Sequence, residues 1–141
     1  MVPMQSYEER RQHRRVPDSF LVAYRLLSTR AAAVRLDNNE RDAIALDLSE
    51  GGLGLDAVDE IPVGAEITLR FKILNELSST ERDKRREFTL KAESRYCRLT
   101  QQNNYRVGLL FKDISEQDRE FIATYVKDQQ LSMWLNVNKE S

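Results

Sequence analysis

Cysteine and histidine are nearly absent from this sequence, which holds one of each, Cys97 and His13. A single cysteine excludes an intrachain disulfide and fits a reducing compartment, so a cytoplasmic location is expected. A zinc site of the usual kind needs about four ligands, more than these two side chains supply. A Ser-His-Asp or Cys-His relay would have to use His13, whose protonated form is disfavoured by the arginines around it. Neither a P-loop nor a G-x-G-x-x-G stretch occurs. No run of about 18 apolar residues exists, so no membrane-spanning helix is expected. Residues 1–15 lack the apolar stretch of a secretory signal. The chain is therefore expected to be a non-enzyme with no metal and no cofactor.

An excess of one charge is lacking too. Lys+Arg 22 against Asp+Glu 23 leaves a net charge of -1. That weighs against a uniformly basic nucleic-acid coat or a polybasic membrane binder. The 141 residues suit one domain, with 40% hydrophobic residues for a core and 32% charged residues for a solvated surface.

What the chain does have is alternation. Residues 1–18 read as a flexible, arginine-rich arm, and Val16-Pro17 leads it into extended structure. Strands are expected at Phe20–Leu27, Asp42–Leu48, Leu53–Leu55, Glu66–Leu74, Glu87–Leu99 and Tyr105–Phe111, with Ala31–Leu36 a weaker candidate. Along Asp42–Leu48, Ala43, Ala45 and Asp47 share one parity, and Ile44, Leu46 and Leu48 the other. Asp37-Asn38-Asn39, Gly51-Gly52 and Pro62-Val63-Gly64 mark turns. Asn75–Arg86 is polar and reads as a long exposed loop. Ser115, three residues before Asp118, resembles a capping box for a helix with Phe121, Ile122, Tyr125 and Val126 on one face. Residues 131–141 read as a C-terminal tail, part of which docks through Met133, Trp134, Leu135 and Val137. The expected body, residues 19–130, is mainly β: six or seven short antiparallel strands in a small barrel or sandwich, with the helix plugging a barrel opening.

Two clusters carry chemistry. Arg10, Arg11, Arg14 and Arg15 bring guanidinium groups together on the arm. Arginine forks bond phosphate bidentately, stack on bases, and match guanine O6 and N7. The second cluster is Asp47, Ser49 and Gly52 within D-L-S-E-G-G. Asp47 can accept from the paired N–H donors of a guanine edge, and Ser49 can donate or accept. Gly52 allows unusual dihedrals and close approach to a ligand. Each cluster also has an ordinary structural reading: a solvated charge run, and a tight turn.

Taken in order, these clusters resemble the two motifs of the PilZ domain family of bacterial cyclic di-GMP receptors. Arg11 to Arg15 fits R-x-x-x-R, with Arg10 to Arg14 as a second register. Asp47, Ser49 and Gly52 fit D/N-x-S-x-x-G. Tyr105-Arg106-Val107-Gly108-Leu109-Leu110-Phe111 is similar to the family's last barrel strand, and the helix over Glu116–Gln130 follows it. The resemblance covers about residues 9–130 and implies a split-type barrel that binds cyclic di-GMP. Under it, Arg11 and Arg15 grip phosphates and guanines, Asp47 and Ser49 read a guanine edge and hold the phosphate side, and Gly52 admits the ligand. Arg10, just before the first motif arginine, is compatible with two ligands per chain. Tyr96 is a possible ring contact. The arm would fold over the barrel mouth and present a new face to a protein partner in motility, exopolysaccharide, biofilm or virulence control, with the chain a monomer or weak dimer. Two alternatives stay open: a protein-interaction scaffold with little nucleotide binding, and RNA or DNA binding through the arm.

Overall fold

The computed structural model describes residues 16–28, 40–78 and 84–140. Six strands form in chain order: β1 (Val16–Ser28), β2 (Arg41–Ser49), β3 (Gly52–Ala57), β4 (Glu66–Leu74), β5 (Arg85–Leu99) and β6 (Tyr105–Lys112). Among the described residues one helix, α1 (Glu116–Glu140), follows. The strands close into a barrel in the order β1-β2-β3-β6-β5-β4. Every neighbouring pair is antiparallel. Of the six or seven strands expected, six close into a mainly β barrel followed by the expected C-terminal helix. The candidate strand Ala31–Leu36 and the turn at 37–39 lie outside the described residues.

Alternation builds the core. On β4, Ile67, Leu69, Phe71 and Ile73 are buried, while Glu66, Arg70 and Lys72 face outward. Side chains on a strand alternate faces, so one apolar parity is enough to line a barrel interior. Phe71 stacks on Phe88 with centroids 4.9 Å apart, which extends the apolar interior from β4 to β5. The turn before β4 reverses at Gly64, the only described glycine with positive φ, at 87°.

β2 departs from the simple alternation. Its inward residues are Ala43 and Ala45, and Ile44 is 44% exposed, so the small residues of the first half point to the core. The register then shifts between Ala45 and Asp47 against β3. Two residues of β2 span one step of its partner there, as in a β-bulge. Parity reverses beyond the bulge: Leu48 is fully buried, and Asp47 turns outward instead of following Ala45 inward.

α1 closes one end of the barrel. Ser115 Oγ accepts from the Asp118 N–H at 3.1 Å, the expected cap, and Glu116 and Asp118 place acid in the first turn. Ile122, Tyr125 and Val126 are buried against the barrel, and the Phe121 ring meets Phe88 edge-on at 5.7 Å. Two polar ties hold the helix to the β4–β5 connection. Arg86 Nε donates to Asp118 Oδ1 at 2.6 Å, and Asn75 Nδ2 donates to Asp128 Oδ2 at 3.0 Å. The ends of the segment read as an exposed loop, Asn75–Arg86, are thus anchored: Asn75 is buried, and Arg85 and Arg86 belong to β5. Residues 79–83 lie outside the described set.

The helix runs to Glu140, ten residues past Gln130. The segment read as a tail is its last part, because no glycine or proline interrupts residues 116–140. Met133, Trp134 and Leu135 stay 48%, 61% and 52% exposed, and the Val137 side chain lies outside the described residues. No helix among the described residues is long and apolar enough to cross a membrane.

Candidate functional site

Asp47 stands on the outer wall of the barrel. Gly54 lies between the buried Leu53 and Leu55, so its missing Cβ would point outward. A Cβ built there would meet Asp47 Oδ2 at 3.1 Å and Oδ1 at 3.2 Å. The carboxylate therefore lies flat over β3, and Oδ1 accepts the Gly54 N–H at 2.9 Å. Its other oxygen faces Arg106 Nη2 at 3.7 Å, and the carboxylate side chain keeps only 15% exposure. The Gly54 N–H aims this carboxylate, and the Arg106 guanidinium lies loosely beside it.

Ser49 does something different from its neighbour two residues earlier. Its hydroxyl accepts from the Gly51 and Gly52 N–H groups and donates to the Gly52 carbonyl, each at 3.2 Å. The side chain is 1% exposed. Its hydrogen-bonding capacity is spent within the β2–β3 turn, where it fixes the hairpin that carries Asp47.

Gly52 is explained by a neighbouring strand. A Cβ there would overlap the Leu109 carbonyl oxygen and stand 3.1 Å from its carbon, so only glycine lets β3 and β6 approach this closely. Positive φ plays no part at Gly52. The Phe111 N–H, bonded to the Gly51 carbonyl at 2.9 Å, closes the same corner.

Tyr96 sits at the other side of this wall. The register pairs Asp47 with Gly54, Gly54 with Gly108, and Gly108 with Tyr96, one row across β2, β3, β6 and β5. A Cβ on Gly108 would fall inside the Tyr96 ring, 2.5 Å from Cδ1 and 2.8 Å from Cζ. Gly54 and Gly108 thus leave room for the Asp47 carboxylate and the Tyr96 ring to lie on the sheet. Gly54, Gly108 and Arg106 belong to neither motif. The signal for the glycines was present: an isolated glycine inside a strand marks a close approach. Nothing local marks Arg106, whose partner is 59 positions away.

Arg10, Arg11, Arg14 and Arg15 lie outside the described residues. The backbone that follows them is described: Val16 pairs with Leu48, and Pro17 with Asp47. The chain therefore enters the barrel beside the Asp47–Ser49 segment. Asp47 stands on the outer wall, Ser49 and Gly52 stand at the β2–β3 turn, and α1 packs over the barrel opening at this end. A separate open groove of about 400 Å³, lined in part by Leu21, Arg70 and Lys72, contains none of the expected residues. Burial pushes the Cys97 thiol above its ordinary range, which keeps it protonated and poorly nucleophilic near neutral pH. Among the described residues no group of three or more His, Cys, Asp or Glu is arranged to hold a metal ion.

A family model described as PilZ domain matches residues 9–128. Solved structures share the fold. One is the Bacillus subtilis inhibitor of motility, at TM-score 0.67 and 18% identity, covering 87% of this chain and 52% of its own. YcgR from Escherichia coli in complex with c-di-GMP matches at TM-score 0.66 and 16% identity, covering 94% and 51%. The PilZ domain of YcgR with c-di-GMP matches at TM-score 0.61 and 15% identity, covering 92% of this chain and 98% of that one. The chain spans about half the length of the first two structures. No curated protein sequence matches it significantly.

Proposed function

The chain belongs to the PilZ domain family, and from that premise we propose that it is a cyclic di-GMP receptor that signals to a protein partner. The observation that carries this reading is the register of β1 on β2. Val16 pairs with Leu48 and Pro17 with Asp47, so the described chain enters the barrel beside the acid. In this reading one ligand engages both clusters, which lie some thirty residues apart in sequence.

In this reading Asp47 accepts from the N–H donors of a guanine edge, held in aim by the Gly54 N–H. Arg11 and Arg15 supply bidentate forks to phosphate and stack on guanine, with Arg10 and Arg14 beside them. Ser49 contributes by holding the turn, and Gly52 by letting β3 and β6 close beneath it. Tyr96 offers a ring at the far side of the wall. Cyclic di-GMP neutralises the arginines of residues 1–18 and draws them against the outer wall, and the covered wall is the surface read by the partner. The receptor acts in the cytoplasm and performs no chemistry on its ligand.

Charge-assisted bonds of this kind contribute about 1.5–3 kcal/mol each, so two or three account for micromolar binding, about -8 kcal/mol, after ordering costs. Titration calorimetry with cyclic di-GMP tests the assignment. Arg15→Ala and Asp47→Ala are each expected to weaken binding at least about tenfold, or 1.4 kcal/mol. Wild-type affinity in both variants overturns the site. Preference for single-stranded RNA over cyclic di-GMP overturns the receptor reading. A pull-down with and without the nucleotide then identifies the partner, and with it the pathway: motility, exopolysaccharide or virulence.

A further inference from the structure

The wall beside Asp47 carries two arginines that belong to neither motif. β5 and β6 pair Arg98 directly with Arg106. Val107, between Arg106 and Gly108, is fully buried, so Arg106 faces outward, and its register partner shares that face. Like charges placed directly opposite on one sheet face repel. Acids nearby compensate only one side of the pair. Arg106 has Asp47 Oδ2 at 3.7 Å and Asp56 across from it on β3. Glu93, the acid of β5 nearer in sequence to Arg98, is engaged by Arg95 at 3.0 Å and Lys112 at 3.8 Å. Arg98, the next outward position after Tyr96, makes no ion pair among the described residues. The fold thus holds two guanidiniums together at one edge of the wall and leaves one without a carboxylate.

Resting on the receptor reading above, we propose that Arg98 and Arg106 form an anion seat that takes one phosphate of the bound dinucleotide. A phosphate between two planar forks turns their repulsion into paired, charge-assisted hydrogen bonds. Arg106 stands beside Asp47 and Arg98 one strand farther along the sheet, so the seat adjoins the guanine-reading acid. The seat and the acid are coupled through Arg106. Its contact with Asp47 is long for a charge-assisted bond, so a phosphate can compete for this guanidinium. Oδ1 stays on the Gly54 N–H throughout, so the carboxylate keeps its aim.

Calorimetry with cyclic di-GMP at two salt concentrations, on the full chain, tests the seat. Arg98→Ala is expected to bind about tenfold more weakly and to show a shallower dependence on salt, because one screened phosphate contact is gone. Its thermal midpoint should stay at the wild-type value, since Arg98 is exposed. Arg106→Lys keeps the charge but loses the fork, and should also bind more weakly. Arg95→Ala, on the same strand and already engaged by Glu93, should keep wild-type affinity. An Arg98→Ala variant with wild-type affinity and salt dependence overturns the seat while leaving the receptor reading intact. Equal losses in Arg95→Ala and Arg98→Ala reduce the effect to general charge and overturn the seat too. A wild-type chain that does not bind cyclic di-GMP overturns both.

Discussion

At the end closed by α1, side chains fill the space: Ile122 is fully buried, and Phe121 meets Phe88 edge-on. On the wall that carries Asp47, side chains are withheld: Gly54 and Gly108 leave room for a carboxylate and an aromatic ring to lie on the sheet. The same strands build both regions, from their inner and outer parities. Apolar burial is non-directional, so the plug depends on volume. Hydrogen bonds and ring placement are directional, so the wall depends on where backbone approaches backbone. Stability should therefore reside mainly in the first region, and recognition in the second.

Substitutions can break that division. The largest effect is expected from Ile122→Ala, which removes a fully buried side chain and should cost about 2–5 kcal/mol in urea unfolding. Nucleotide affinity per folded molecule should stay unchanged; a parallel loss of affinity would merge the two regions into one. Gly108→Ala comes next. The added methyl displaces the Tyr96 ring and should cost about 1–3 kcal/mol by overpacking. Adding Tyr96→Ala should recover stability, read as a coupling term in a double-mutant cycle, and strictly additive losses would show that the ring does not rest on Gly108. The smallest effect is expected from Ser49→Ala. Losing the turn hydroxyl should lower stability by about 1 kcal/mol and affect affinity less than Asp47→Ala. An affinity loss equal to that of Asp47→Ala, measured by calorimetry, would show that Ser49 touches the ligand directly.

Much of the barrel was legible in advance. The alternation through Ile67, Leu69, Phe71 and Ile73 is a strand lining a core, and Ser115 is the cap it was read to be. The helix continues past the expected end at Gln130 because no glycine or proline stops it, although Met133, Trp134 and Leu135 stay exposed. β2 was harder. Its parity makes Ile44, Leu46 and Leu48 the natural inner face, yet Ala43 and Ala45 are inside and only Leu48 joins them. A single extra residue at the bulge accounts for the switch, and a bulge is set by pairing with the neighbouring strand. Gly52 was legible as essential but for a different reason: the approach of the Leu109 carbonyl, 57 positions later, is invisible locally.

The amino-acid order alone determined the strands, the capped helix and the two polar clusters, because periodicity, caps and motifs are local properties of a chain. Only the closed barrel decided that Asp47 faces outward, that the chain enters beside it, and that Arg106 and Tyr96 share its wall. Those relations arise from register between strands distant in sequence, and register is settled by packing all six strands around one core.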